Sequence, residues 1–235
     1  MMLSQVSYRT PLSVRVVRIA VSIFAFGSCL CFLLLGRPIG FLQSIETLIL
    51  ISIPMIVECL FHCRLAMWLH VFIMLYGLGP MLGHSYGLFY TTTWWDKLLH
   101  CSGGVAFAIV GYYLPLLIGK NHMTPAMRLV FAVCFSMAIS VVWEFLKYGQ
   151  DMLLGFDTQN DTVISTIHSY LLGDTTGRLG RIEGISEVAV NGLSLPGYID
   201  IGLIDTMGDM LIETLGAVLC AVALGIDRDR HPAIT

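Results

Sequence analysis

Residues 126–150 read AMRLVFAVCFSMAISVVWEFLKYGQ, and this stretch decides the class of fold. Leu129 to Trp143 carries no charge, and its apolar residues show no strand-like alternation. About 20 such residues cross a hydrocarbon core of about 30 Å, and a chain in lipid must satisfy its own backbone hydrogen bonds. The stretch therefore predicts a membrane-spanning α-helix. Charge appears at its start, in Arg128, and toward its end, at Glu144 and Lys147, with Asp151 just beyond.

Working outward, five more stretches have the same character: Val16–Leu35, Phe41–Phe61, Leu65–Leu88, Lys97–Ile118 and Leu203–Ile226. Hydrophobic residues make up 56% of the 235 and charged residues 12%, where a soluble domain carries about a quarter charged. The expected fold is an all-α polytopic membrane protein with six spans in a single membrane domain and one long extracytoplasmic loop, residues 152–202. The first span follows basic residues as a signal peptide would. Its apolar run is too long for one, and Gly36-Arg37-Pro38 is a poor cleavage site, so it reads as a retained helix. Pro54, Pro80 and Pro115 are candidate kinks.

Basic residues gather on the cytoplasmic side of membrane proteins. An inside N-terminus puts Arg9, Arg15, Arg18, Arg64, Lys120, Arg128, Arg228 and Arg230 inside, leaving Arg37, Lys97, Lys147, Arg178 and Arg181 outside. The expectation is N-in, C-in. The formal charge of −3 carries no information about nucleic acid, and none is expected as a partner. Membrane lipids are. Oligomeric state is not legible.

On that topology the acids converge on the outer face. Span four opens with Trp94-Trp95-Asp96-Lys97-Leu98-Leu99-His100, span five closes on Glu144, Lys147 and Asp151, and span six opens with Asp205, Asp209 and Glu213. Asp96 and His100 are i, i+4, while Asp205, Asp209 and Glu213 are i, i+4, i+8, so each set shares a helical face. At 1.5 Å per residue Glu213 stands roughly 12 Å deeper than Asp205. Small residues beside these stripes, among them Gly103, Gly104, Gly208 and Gly216, permit close helix packing. Glu46 and His84 also fall in outer halves.

Carboxylates at membrane depth need a partner, a proton or a cation. Lys97, Lys147 and His100 cannot balance six acids. Oxygen donors with one imidazole suit Mg²⁺, Mn²⁺, Zn²⁺ or iron. The expected metal ligands are Asp96, His100, Glu144, Asp209 and Glu213, with Asp205, Asp151 or His100 as general base. The bland alternative is interhelical pairing, Asp96 with Lys147 and Lys97 snorkelling to the interface. Elsewhere bland readings prevail. His70 is expected to be a hydrogen-bonded buried histidine, and the intramembrane cysteines to act as small hydrophobes. Cys59, His62 and Cys63 form at most a weak metal or thiol site.

The 152–202 loop carries Asp161 ahead of Val163, Ile164, Ile167, Tyr170 and Leu171, a spacing that predicts a short amphipathic helix with Asp161 near its N-cap. A small hairpin is expected around Ile185–Val190, and the whole loop reads as a lid.

The ordered set Trp95-Asp96-Lys97-Leu98-Leu99-His100-Cys101-Ser102-Gly103, Trp143-Glu144 and Asp205-Thr206-Met207-Gly208-Asp209, with Thr214-Leu215-Gly216-Ala217, resembles the YjdF-type bacterial inner-membrane proteins. The Asp-Lys-x-x-His opening is similar to the VanZ-like group. The resemblance covers spans four to six. It implies a bacterial cytoplasmic-membrane location and Asp96, His100, Glu144, Asp205 and Asp209 as signature positions, and it supplies no reaction.

No HExxH, phosphate-binding loop or nucleophile elbow is present, which argues against a zinc protease, an ATP-driven pump and a serine hydrolase. The favoured reading is a metal-dependent membrane hydrolase acting on a lipid or isoprenoid phosphate. A proton- or cation-coupled transporter using the same acids ranks second, because the inner halves of spans four to six carry almost no polar residues. A non-catalytic envelope-binding protein is the third.

Overall fold

The computed structural model describes residues 12–61, 65, 67–118 and 123–227. Arg9, His62, Cys63, Arg64, Lys120, Arg228 and Arg230 lie outside them, so the Cys59–His62–Cys63 group and part of the orientation argument do too. Among the described residues five helices are long and apolar enough to cross a membrane: α1 (Leu12–Leu34), α2 (Pro38–Phe61), α5 (Trp95–Leu117), α6 (Pro125–Leu154) and α7 (Leu203–Asp227). The chain is a polytopic membrane protein.

The expected span Leu65–Leu88 is not one helix. It divides into α3 (Met67–Tyr76), a π-helical turn (Met81–Ser85) and α4 (Leu88–Thr91). The break falls at Gly77-Leu78-Gly79-Pro80, where proline lacks an N–H and its ring crowds the preceding turn. Broken backbone at membrane depth survives only where protein groups satisfy it. Here Thr47 Oγ1 donates to the Gly77 carbonyl at 2.8 Å and Trp95 Nε1 to the Gly79 carbonyl at 3.2 Å. The glycines let neighbours in close, since a Cβ at Gly79 would lie 2.4 Å from Leu99 Cδ2. Pro54 and Pro115, by contrast, sit inside unbroken helices.

The chain forms two compact units. The first holds everything up to Met137 and from Ile212 onward. Val14 and Val21 of α1, Ile51 of α2 and Met74 of α3 make one apolar core there; Ala108, Tyr112, Ala132, Ala217 and Cys220 make another. His70 is buried and hydrogen-bonded to Glu58 at 3.0 Å, as its sequence context suggested. Six described cysteines are free thiols.

The second unit, Ala138–Leu211, contains the ends of α6 and α7 and the segment between them. That segment is built of three antiparallel strand pairs: β1 (Val163–Ile164) with β6 (Tyr198–Ile199), β2 (Ile167–Ser169) with β3 (Gly180–Ile182), and β4 (Val188–Val190) with β5 (Leu193–Leu195). The amphipathic helix expected after Asp161 is therefore absent. Val163, Ile164 and Ile167 are β-branched, and their strand partners lie 15 to 36 positions downstream, where no local periodicity reveals them (Ile167↔Ile182, Val163↔Ile199). Only Tyr170–Leu172 is helical, a single 3₁₀ turn capped by Ser169 Oγ, which accepts from Leu171 N–H at 3.1 Å. The expected hairpin forms slightly later than anticipated, around Asn191-Gly192, whose φ values of 48° and 86° match the type I′ turn that Asn-Gly favours.

Asp200 closes the unit. Its Oδ1 accepts from Thr162 N–H (2.8 Å) and its Oδ2 from Ile204 N–H (2.7 Å), capping α7 while anchoring β1. Asp161 stands among Asp157, Asp200 and Asp151. Loss of hydration, and then these neighbouring charges, raise its carboxyl above the ordinary 3.8. The native loop thus disfavours the ionised form. The penalty is absent below pH 3.8, grows as pH rises toward the raised native value, and is complete above it. Asp161→Asn should remove that trend, so hydrogen exchange at the Val163–Ile199 pair should be slower than in wild type at neutral pH and equal at acid pH.

Candidate functional site

In the first unit Asp96 and His100 occupy one face of α5, and Glu213 meets them from α7. Asp96 Oδ1 lies 3.6 Å from His100 Nε2, and Glu213 Oε2 lies 3.5 Å from His100 Nδ1. The imidazole is thus bracketed by two carboxylates. Backbone contact makes this possible: a Cβ at Gly104 would fall 2.0 Å from the Glu213 carbonyl oxygen, and one at Gly216 would fall 2.3 Å from the Cys101 carbonyl oxygen. The two helices touch without side chains between them, as small residues permit in membranes. Gly104 follows His100 by one turn, so the crossing point holds the imidazole against Glu213. Glu213 is 2% exposed, and its Oε1 has no hydrogen-bond partner among the described residues. Lys97 Nζ reaches Asp96 Oδ2 at 2.8 Å while its side chain stays partly exposed, so it pairs at the rim.

The second unit holds the other acids. Lys147 Nζ is 3.1 Å from Asp209, 3.4 Å from Glu144 and 3.5 Å from Asp205. Glu144, Lys147 and Asp209 are buried, Asp209 completely. One ammonium facing three carboxylates leaves two negative charges over if all are ionised. Thr206 Oγ1 donates to Glu144 at 3.2 Å and itself accepts from Gln159 Nε2 at 2.7 Å, while Asn160 Nδ2 reaches Asp205 at 3.4 Å. The chain after α6 therefore folds back over this group.

Asp151 holds that return. Its Oδ1 accepts from the Thr158 N–H and hydroxyl, both at 2.6 Å, and its Oδ2 from Gln159 N–H at 3.0 Å. His84 packs edge-on against Phe89, ring centroids 4.5 Å apart.

The structure thus places Asp96, His100 and Glu213 together in one unit, and Glu144, Asp205 and Asp209 around Lys147 in the other. α7 is a single helix carrying Asp205, Asp209 and Glu213 at the expected four-residue intervals. Sequence reasoning missed Thr158, Gln159, Asn160 and Thr206. Polar residues beside charged ones carry no distinguishing signal without the fold that returns them.

A polytopic membrane protein with buried aspartate, glutamate and histidine on α5, α6 and α7 is the class these features define. The sequence profile of the family described as "Predicted membrane protein (DUF2238)" matches residues 16–230, and the chain belongs to that family. No curated protein and no solved structure matches it.

Proposed function

We propose that this chain is a metal-dependent membrane enzyme of the bacterial cytoplasmic membrane, oriented N-in, C-in. On this reading Asp96 and His100, one turn apart on one face of α5, bind a divalent ion, and Asp209, one turn ahead of Glu213 on α7, is required for turnover. The resemblance to YjdF-type and VanZ-like proteins, in the residues quoted above, is consistent with it.

The observation that carries the reading is the spacing around His100. Direct N–H···O bonds cluster near about 2.9 Å, whereas two donors each about 2.1 Å from one tetrahedral ion are about 3.4 Å apart. The 3.6 Å between Asp96 Oδ1 and His100 Nε2 suits two ligands of one ion better than a direct hydrogen bond. Glu213 stands 3.5 Å away on the Nδ1 side of the ring, where its charge favours an N–H at Nδ1 and leaves Nε2 for the ion. The bare, buried Glu213 Oε1 supports a need for further positive charge.

A bound divalent ion would polarise a phosphoryl oxygen and lower the pKa of a bound water. Asp205, less buried than Asp209, is the candidate base; Asp151 is better read as holding the loop, because both its oxygens are engaged. The substrate class is a lipid or isoprenoid phosphate, and residues 152–202 act as the lid over it.

Elemental analysis of protein purified in mild detergent tests this. Wild type should hold near-stoichiometric metal; Asp96→Asn and Glu213→Gln should lose most of it, and Asp209→Asn should abolish lipid-phosphate hydrolysis. Full hydrolytic activity in Asp209→Asn would end the enzyme assignment. Folded protein that takes up no metal, even after supplementation, would instead favour protons as the neutralising charge.

One observation favours that second reading, a proton-coupled carrier. Ser140 and Ser136 lie one and two turns inward of Glu144 on α6, both buried, and Ser140 Oγ has no partner among the described residues. They add polar positions to an inner half that otherwise reads as apolar.

A further inference from the structure

The second unit displays an apolar tip that its own fold leaves uncovered. Between β2 and β3 the 3₁₀ turn projects Tyr170 (68% exposed) and Leu171 (95%), flanked by the exposed Leu172 and Leu179. Leu171 is the most exposed large hydrophobic side chain among the described residues. Exposed leucines within the spans face lipid by construction, but these residues lie outside every span. Nor is the tip a loose strand of chain. Ser169 Oγ caps the turn, and Arg178 N–H bonds back to the Thr175 carbonyl. Gly173 and Gly180 are packed so tightly that a Cβ would strike the carbonyl oxygen of Arg178 and the backbone of Leu172. The hairpin is braced, and it holds these side chains outward.

Charge says what covers them. Residues 152–202 carry six acidic residues and two basic ones, and both of the basic ones, Arg178 and Arg181, are on this hairpin. Arg178 pairs with Asp174 and Arg181 with Glu183, but these are exposed pairs that contribute little and exchange readily for another anion. An aromatic and aliphatic tip flanked by arginines is the composition that settles at a bilayer interface, with apolar groups among the upper acyl chains and guanidiniums at lipid phosphates. The hairpin belongs to a segment tethered at both ends to membrane-spanning helices, α6 and α7, so a lipid surface is always nearby.

We propose that the β2–β3 hairpin is a membrane-surface anchor, inserting Tyr170 and Leu171 into the headgroup–acyl boundary of the bilayer the protein spans. This is independent of whether the acidic residues bind metal.

The test uses the full-length chain with its native cysteines replaced, nitroxide-labelled at Leu171→Cys or Tyr170→Cys and reconstituted in phosphatidylethanolamine–phosphatidylglycerol vesicles. An exposed site on the other hairpin, Ala189→Cys, serves as reference. At positions 170 and 171 collision with oxygen should exceed collision with a water-soluble nickel chelate several-fold, and the ratio should reverse at 189. Nickel accessibility at 170 and 171 equal to that at 189 would overturn the proposal, because the tip would be in water. Exclusion of both reagents would also overturn it, because the tip would then be covered by protein, a second copy included. Two label sites guard against one substitution distorting the turn.

Discussion

Replacing Lys147 with methionine is expected to lower the stability of the folded protein by about 3–5 kcal/mol, the usual consequence of removing one partner from a buried ion pair. Methionine keeps the length and apolar stem of the lysine and deletes only its charge. Nζ stands 3.1 to 3.5 Å from carboxylate oxygens of Asp209, Glu144 and Asp205, so three acids lose their shared counter-charge at once. For a chain of this size the loss corresponds to a fall of about 6–20 °C in thermal midpoint. Adding Asp209→Asn should restore more than half of it, because the second substitution removes the most buried of the three charges. A Lys147→Met protein that melts with wild type would mean that the three carboxylates already carry protons or a cation. The experiment therefore reads the charge state of this group directly, without an activity assay.

The second large effect is expected from a single methyl group. Gly104→Ala puts a Cβ 2.0 Å from the Glu213 carbonyl oxygen and 3.0 Å from Ala217 N. Both obstacles are backbone of α7, so no side chain can turn aside and the helices must separate. Overpacking of this kind costs about 3 kcal/mol, the upper part of its usual range. Separation also widens the distance from His100 to Glu213, so metal content should fall even in the fraction that folds. Gly208→Ala, on the same α7, is the control. Its added Cβ meets no described heavy atom within 4 Å, and alanine should raise stability by about 0.5–1 kcal/mol through helix propensity. Thermal melts of the two variants in one detergent would separate close packing from helix propensity. Similar midpoints would show that α5 and α7 are not held in backbone contact.

Much of the protein was legible in its sequence because the relevant physics is local. An apolar run long enough to cross a bilayer has one stable backbone conformation, so five spans appear where their residues predict them. The intervals between Asp205, Asp209 and Glu213, and between Asp96 and His100, needed only the helical repeat. The hairpin expected around Ile185–Val190 rested only on local turn chemistry, and it forms slightly later, at Asn191-Gly192.

What the sequence did not determine depends on residues far apart in the chain. Pro80 flagged a kink in the third span, but whether that segment bends or breaks depended on partners for the freed carbonyls, and Thr47 and Trp95 provide them from α2 and α5. Thr162 to Leu171 has a helical spacing of apolar residues, yet strand pairing with residues 180–182 and 198–199 prevailed over it. Lys147 was visible as a counter-charge, with Asp96 as its candidate partner; only the fold brings it against Glu144, Asp205 and Asp209 and assigns Asp151 to the returning chain. Helical period and hydrophobicity are carried by neighbours in sequence and survive without a structure. The partner of a buried charge or an unpaired carbonyl is chosen by packing, and packing exists only in three dimensions.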